Sequence, residues 1–199
     1  DCPTITNPTG AQTICSTDSG TNLTVDASAT SGDISFIRYT TAQAGNAMYT
    51  GGTQIGTDVT PVAGTATYTF NTADFPNATT SPITYYVYAI MAAPSADPTC
   101  RPYQEIQVVV NPKPTAAPAS LAVCENSLGG GQGTFTLSDA DDTVDGSQTG
   151  ITVTYHPTLT DANNDTNQLP DSYTGNAGSI FARAENAQGC FATSTITLT

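Results

Sequence analysis

Residues 151–155 read Ile151-Thr152-Val153-Thr154-Tyr155, so apolar and polar side chains alternate along the segment. This period of two is typical of a β-strand with one buried face, because successive side chains of a strand point to opposite sides. Thr67-Tyr68-Thr69-Phe70 alternates in the same way, and turns rich in Gly, Asn, Asp and Pro separate such segments. No stretch carries a convincing helical stripe. The pattern predicts an all-β fold, an antiparallel β-sandwich with Greek-key connections.

A degenerate repeat relates the two halves of the chain. Ile14-Cys15-Ser16 precedes a Leu-Thr-Val strand, and Val123-Cys124-Glu125 precedes a Phe-Thr-Leu strand. Each half then reaches a second cysteine shortly before its final strand. Because domains of about 100 residues are common, the 199 residues are expected to form two tandem β-sandwich modules. The expected modules are 8–112 and 113–199.

The join between the modules is rich in proline. Residues 111–118 read Asn-Pro-Lys-Pro-Thr-Ala-Ala-Pro, and three prolines in eight residues favour an extended, semi-rigid spacer. Asn7-Pro8 repeats the Asn-Pro signature after the short apolar-polar pattern of residues 4–6. Residues 1–7 are therefore expected to be the tail of a preceding repeat, and the chain is expected to be a piece of a longer array.

Charge excludes two classes of partner. The formal net charge is −13, with only four Lys and Arg residues, so the clustered positive charge that nucleic acids require is missing. Anionic membrane surfaces are disfavoured for the same reason. No apolar run approaches the roughly 20 residues that cross a bilayer, so membrane insertion is not expected.

Five cysteines suggest an oxidising, extracellular compartment. The repeat predicts one disulfide in each module, Cys15 to Cys100 and Cys124 to Cys190. Structural zinc is disfavoured, because there is no C-x-x-C motif and His156 is the single histidine. Cys2 is the odd cysteine; it is expected to have lost a partner outside this chain, or to pair locally or between chains.

The sequence offers little material for catalysis. His156 stands alone at a strand end, and no nucleophile motif accompanies it. We therefore expect no enzyme activity and no catalytic residue. Tyr85, Tyr86 and Tyr88 alternate along one strand, so some are expected in the core and some on the surface. A surface tyrosine that contacts glycans is the alternative to a purely structural role.

A cluster of acidic residues suggests a metal ion. Calcium prefers six to eight hard oxygen ligands, and closely spaced aspartates can supply them. Solvated turns use the same residue types, so both interpretations stay open. No other cofactor is expected. The candidate calcium ligands are Asp139, Asp141, Asp142 and Asp145, with Asp161 and Asp165 from a neighbouring loop.

Five segments of the second module form a recognisable pattern: Val123-Cys124-Glu125, residues 133–137, residues 151–155, residues 179–186 and residues 189–193. With this pattern the second module resembles a repeat of very large Bacteroidetes surface proteins, the gliding-motility adhesins of the SprB type, which the type IX secretion system exports. The first module departs from the pattern at its second cysteine, where it reads Asp97-Pro98-Thr99-Cys100, and it resembles a diverged immunoglobulin-like or PKD-like relative.

The resemblance implies two tandem immunoglobulin-like domains in a cell-surface adhesin, where they space and attach rather than catalyse. The implied partners are neighbouring repeats of the same chain and a surface polysaccharide or other substratum. It also makes Thr143, in Asp142-Thr143-Val144, an expected O-glycosylation acceptor. The alternative is an accessory or carbohydrate-binding pair of domains in a secreted hydrolase.

Overall fold

The computed structural model describes residues 2–18, 21–28 and 31–199. The chain divides into two compact units, unit 1 from Asp1 to Pro112 and unit 2 from Lys113 to Thr199. The division falls inside the proline-rich join. None of the helices in the described residues has the length and apolar character that crossing a membrane requires.

The described part of unit 1 contains eight strands and one turn of 3₁₀ helix. Three strands form one sheet in the order β1-β3-β6, and five form the other in the order β2-β8-β7-β4-β5. The elements are β1 (Ile5–Thr6), β2 (Gln12–Cys15), β3 (Asn22–Ala27), β4 (Ile34–Tyr39), the 3₁₀ turn (Ala47–Tyr49), β5 (Thr53–Val59), β6 (Thr65–Thr69), β7 (Ile83–Met91) and β8 (Tyr103–Asn111).

This strand order is that of an immunoglobulin-like sandwich. Strands β3 and β6 pair although two other strands lie between them in the sequence, as Greek-key connections require. Strands β8, β7 and β4 form the second sheet, which an additional strand, β5, extends at one edge. All pairs in unit 1 are antiparallel except that of β2, which runs parallel to β8 with Cys15 opposite Asn111.

The core of unit 1 lies between its two sheets. Leu23 and Val25 on β3, and Val87 and Ala89 on β7, are fully buried at alternating positions. A second, smaller cluster covers the opposite face of β4 and β7 and contains Ile37, Met48, Tyr88 and Ile90. Strand β7 is therefore buried on both faces, which explains its nearly continuous apolar sequence.

Unit 2 contains six strands, a 3₁₀ turn and two short helices. Its sheets have the orders β10-β12 and β11-β13-β14-β9. The pairing is antiparallel except that β9 runs parallel to β14. The elements are β9 (Ala119–Leu121), β10 (Gln132–Thr136), the 3₁₀ turn (Leu137–Ala140), α1 (Asp141–Asp145), β11 (Ile151–His156), α2 (Leu159–Asn164), β12 (Ser172–Asn176), β13 (Gly178–Asn186) and β14 (Phe191–Leu198).

The predicted alternation of residues 151–155 is confirmed in β11. Tyr155 is buried, and Ile151 and Val153 pack partly buried against the same core. Thr152, between them, is exposed. Phe135 on β10 faces this core from the other sheet. The predicted fold class, two tandem immunoglobulin-like β-sandwiches, is confirmed.

Residues 1–7 are not the tail of a preceding module, contrary to the prediction. Ile5 and Thr6 form β1, which pairs antiparallel with β3 of unit 1. The Ile5 side chain is buried in the unit 1 core, and the Gln104 side chain donates a hydrogen bond to the Ile5 carbonyl at 2.8 Å. The alternating pattern correctly indicated a strand. It could not indicate which sheet the strand joins. Asp1 lies outside the described residues.

Candidate functional site

The cysteines occupy the two ends of each sandwich. We call the end at which the last strand begins the leading end of a unit, at Tyr103 in unit 1 and Phe191 in unit 2. The end at which that strand finishes is the trailing end, at Asn111 and Leu198. These names order the cysteines along each unit.

Cys100 is bonded to Cys2, not to Cys15. Cys2 and Cys100 lie at the leading end of unit 1, with their Cα atoms 5.1 Å apart. Cys15 lies at the trailing end, because β2 runs parallel to β8 and places Cys15 opposite Asn111. The nine residues of β8 separate the two ends by about 27 Å. A disulfide needs Cα atoms within about 7 Å, so the predicted Cys15–Cys100 bond is wrong.

The same geometry overturns the predicted Cys124–Cys190 bond. Cys190 directly precedes β14 at the leading end of unit 2. Cys124 lies at the trailing end, since the amide of its neighbour Val123 donates to the Thr199 carbonyl at 3.0 Å. Among the described cysteines, Cys124 is free and exposed. Cys15 and Cys190 are disulfide-bonded.

A tight turn holds Cys190 in place. The Asn186 side chain accepts hydrogen bonds from the amides of Gln188 and Cys190, at 3.1 and 3.0 Å. Gly189 has a φ of 78°, in the left-handed region that favours glycine. The Asn-x-x-Gly-Cys spacing therefore has a local physical cause, and it fixes Cys190, which is fully buried, at the leading end.

The candidate calcium ligands do not assemble into a site. Within the described residues, no group of three or more His, Cys, Asp or Glu side chains could hold a metal ion. Several of these carboxylates already accept hydrogen bonds from other groups of the protein. Asp141 accepts from the Tyr155 hydroxyl at 2.7 Å and Asp145 from the Ser147 amide at 2.7 Å. Asp139 lies in the 3₁₀ turn, and Asp142 on α1.

Asp161 and Asp165 belong to a different element. Asp161 lies in α2, where its amide is capped by Thr158 and its carboxylate accepts from Thr166 and Asn167. The Thr158 hydroxyl also donates to the Asp161 carboxylate, and this hydrogen bond is the largest cause that lowers the pKa of Asp161, followed by the one from Asn167. Asp165 adopts the left-handed backbone conformation at the C-terminal end of α2. The predicted calcium site is therefore replaced by hydrogen bonds that build the turns and caps of unit 2.

Burial of Asp141 predicts a change in stability with pH. Burial raises its pKa above 3.8; the Tyr155 hydrogen bond opposes this shift, and nearby Asp145, Asp171 and Asp142 reinforce it. Stability from a raised pKa is complete below the unfolded value and is lost as pH rises through the folded value. Asp141→Asn keeps an acceptor for Tyr155 and removes the charge. We expect it to raise the melting temperature at pH 7 by roughly 2 °C.

The difference should vanish near pH 3, where Asp141 is protonated in both states. Asp139→Asn is the matched control, because it removes one exposed charge from the same segment. Thermal unfolding of both variants across pH 3–8 tests the prediction. An equal rise in both variants would mean that net charge alone, not burial, is responsible.

The remaining candidate residues are His156 and the three tyrosines of β7. His156 is fully buried; its Nδ1 donates to the Thr166 carbonyl at 2.6 Å, and its Nε2 lies 3.0 Å from the Thr154 hydroxyl. The structure thus engages both ring nitrogens. Tyr85 faces the main core of unit 1 and Tyr88 is fully buried in the second cluster. Tyr86 is partly exposed beside that cluster.

Thr143 is exposed on α1, beside the fully buried Val144. Its position is compatible with modification, and its glycosylation stays a prediction.

Arg183 was not singled out from the sequence. It is 6% exposed, and its guanidinium donates to the carbonyls of Ala162 and Asn163 at 3.0 and 3.2 Å. The available signal was an arginine between the apolar residues 180–182 and Ala184.

Residues 120–199 match the family model of the Flavobacterium inter-domain disulphide bond domain. The match begins in β9 and extends to the last residue of unit 2. No curated protein matches the chain.

Solved two-domain modules are similar over the whole chain. DIP-gamma IG1+IG2 is 13% identical, with 100% of this chain and 97% of that chain covered and a TM-score of 0.35. The N-terminal Ig1-2 module of the Drosophila receptor protein tyrosine phosphatase DLAR is 9% identical, with 100% of both chains covered and a TM-score of 0.31. TM-scores this low carry no information about function or partners.

Proposed function

We propose, from the similarity of unit 2 to inter-domain disulphide bond domains, that this chain is a non-catalytic spacer segment of a bacterial cell-surface adhesin. In this proposal the Cys2–Cys100 disulfide staples unit 1. Tension applied along the chain would bypass most of that sandwich, because the bond holds its two cysteines together. The segment would hold an adhesive element away from the cell under load.

The Cys2–Cys100 bond carries this proposal. It joins residues 98 positions apart, so nearly all of unit 1 lies between its two cysteines. Cys15 and Cys190 are disulfide-bonded as well.

The compartment and the adhesive role have separate support. The Cys2–Cys100 bond indicates an oxidising compartment, because disulfides are rare where thiols are kept reduced. The resemblance of the second module to gliding-motility adhesins supports export to the cell surface and attachment to a substratum. Hydrogen bonding of both His156 ring nitrogens agrees with a non-catalytic segment.

Non-reducing peptide mapping tests the disulfide on which the proposal depends. Free thiols are alkylated first, the chain is digested, and the linked peptides are identified before and after reduction. We expect Cys2 linked to Cys100, Cys15 and Cys190 in disulfides, and a single alkylated residue, Cys124. An alkylated Cys2 or Cys100 would refute the proposed role in bearing tension.

Force spectroscopy tests the consequence. With the Cys2–Cys100 bond formed, an end-to-end pull cannot extend residues 3–99, which would otherwise contribute about 340 Å at roughly 3.5 Å per residue. The wild type should therefore extend at least about 340 Å less than the fully reduced chain, which allows about 700 Å for 199 residues. The matched control, Cys124→Ser, should behave as the wild type. A wild-type extension as long as that of the reduced chain would contradict a tension-bearing role.

A further inference from the structure

We infer that a pocket between the end of β4 and the start of β5 binds a small carboxylic acid that carries hydroxyl groups, with the ligand carboxylate on the guanidinium of Arg38. The pocket has a volume of about 270 Å³. It lies wholly in unit 1, so the inference does not depend on the proposed tension-bearing role. The residues that line it are Arg38, Tyr39, Thr40, Gly52, Thr53 and Tyr85.

Strand pairing brings the lining residues together. Arg38 on β4 lies opposite Thr53 on β5, and β7 pairs with the other side of β4. The guanidinium carbon of Arg38 lies 5.3 Å from the centroid of the Tyr85 ring on β7. Gly52 has a φ of 73°, and a Cβ atom there would come within 2.5 Å of the Tyr39 ring. A glycine therefore lets the backbone pass directly against that ring and form one wall of the pocket.

The Arg38 guanidinium is held in place, but its donors are only partly used. One Nη atom donates to the Asp74 carbonyl, and the Tyr85 ring supports the guanidinium from the side. A guanidinium has five N–H donors in a fixed plane, so several remain for a ligand. Arg183 forms an ion pair with Glu185, whereas no ion pair among the described residues includes Arg38. Arg38 is therefore a positioned cation whose charge is not balanced by a carboxylate of the protein.

The charges around the pocket favour a single carboxylate over a more highly charged anion. A carboxylate accepts two parallel hydrogen bonds from one guanidinium, and one positive charge balances it. A phosphate dianion would keep an unbalanced charge beside a chain whose net charge is −13. None of the described residues that line the pocket is acidic. The nearby Asp74 carboxylate is turned to other donors, the Tyr68 hydroxyl at 2.6 Å and the Asn71 amide at 2.7 Å.

The rest of the lining suits hydroxyl groups on the ligand. Thr40 and Thr53 are exposed at the pocket, and each hydroxyl can both donate and accept a hydrogen bond. The partly exposed Tyr39 ring adds an apolar surface beside them. Pockets for drug-sized ligands have volumes of about 300–1,000 Å³, so this pocket has room for one unit the size of a sugar acid. Sugar acids and smaller hydroxy acids share the required chemistry.

NMR titration of the full chain at pH 7 tests the inference with five probes: glucuronate, glycerate, acetate, glucose and inorganic phosphate. We expect at least one of the two hydroxy acids to bind with a Kd on the order of 1 mM and to shift the Arg38 Nε–H signal and the amide signals of Thr40 and Thr53. Glucuronate as the tighter ligand would assign a sugar acid, and glycerate a smaller acid. Acetate, glucose and phosphate should each bind at least about tenfold more weakly.

Three variants show whether the pocket is responsible. Arg38→Gln should weaken binding of the hydroxy acid at least about tenfold, because it removes a charge-assisted hydrogen-bond pair. Thr53→Val keeps the shape of an exposed strand residue and removes only its hydroxyl, so it should weaken binding about threefold even if Arg38→Gln fails to fold. Arg101→Gln is the matched control. Arg101 also donates to a carbonyl, that of Ser95, and lies over a tyrosine ring, but it is outside the pocket.

The Arg101→Gln variant should bind as the wild type does. Glucose or acetate bound as tightly as the hydroxy acids would overturn the inference, because the carboxylate or the hydroxyl groups would then add nothing. Unchanged binding in a folded Arg38→Gln variant, or in Thr53→Val, would also overturn it. So would the absence of any shift in the Arg38, Thr40 and Thr53 signals with about 50 mM of either hydroxy acid, well above the expected Kd.

Discussion

Replacing Cys2 and Cys100 together by serine is expected to lower the free energy of unfolding of unit 1 by about 4 kcal/mol. The two cysteines are 98 positions apart, and cross-links that close loops of this length remove the most conformational entropy from the unfolded chain. Small domains have only about 5–15 kcal/mol of stability in total. The double variant is therefore expected to unfold at a much lower denaturant concentration.

Denaturant unfolding of the full chain, with unit 1 followed by tyrosine signals from its core, measures the loss. Cys124→Ser is the matched control, since it removes an exposed free thiol and should change stability by less than about 0.5 kcal/mol. Replacing Cys2 alone would leave a reactive Cys100, so both are changed together. A double variant as stable as the wild type would contradict the Cys2–Cys100 bond.

Replacing Arg183 by methionine is expected to destabilise unit 2 by about 3 kcal/mol. The Arg183 side chain is 6% exposed and donates to two carbonyls in the last turn of α2, where helix carbonyls lack intrahelical donors. Its Nε donates to Glu185 at 2.7 Å, and its guanidinium lies 3.5 Å from the centre of the Phe191 ring. Methionine fills much of the volume and leaves those acceptors unpaired.

Two further variants separate the contributions of the positive charge, the planar guanidinium and the ion pair with Glu185. Arg183→Lys keeps the charge but lacks the planar fork, so it should recover only part of the loss. Glu185→Gln, which retains an acceptor for Arg183, should cost about 1 kcal/mol, because Glu185 is partly exposed. Thermal and denaturant unfolding of unit 2 in the full chain measure all three. A neutral Arg183→Met would mean that the α2 carbonyls are satisfied without the arginine.

The sequence alone was sufficient for the fold class and for the equivalence of the two halves. Alternation in residues 151–155 predicted a half-buried strand, and β11 has that pattern, because strand side chains point to opposite faces whatever the tertiary context. The proline-rich join coincides with the division after Pro112, since proline cannot continue a sheet ladder. The repeat correctly aligned Cys15 with Cys124 at the same end of each sandwich.

Only the tertiary structure decided which residues meet. The repeat gives no information on strand direction, and it is the parallel pairing of β2 with β8 that moves Cys15 a full strand length away from Cys100. The candidate calcium ligands are close in sequence, yet their carboxylates bond to Tyr155, Ser147, Thr166 and Asn167. Arg183 gained its role from a helix some 20 positions earlier in the chain. Local patterns specify the buried faces of strands and the turns, because both depend on neighbouring residues. Disulfide partners and buried polar contacts depend instead on strand order and direction, which the packing of the whole sandwich determines.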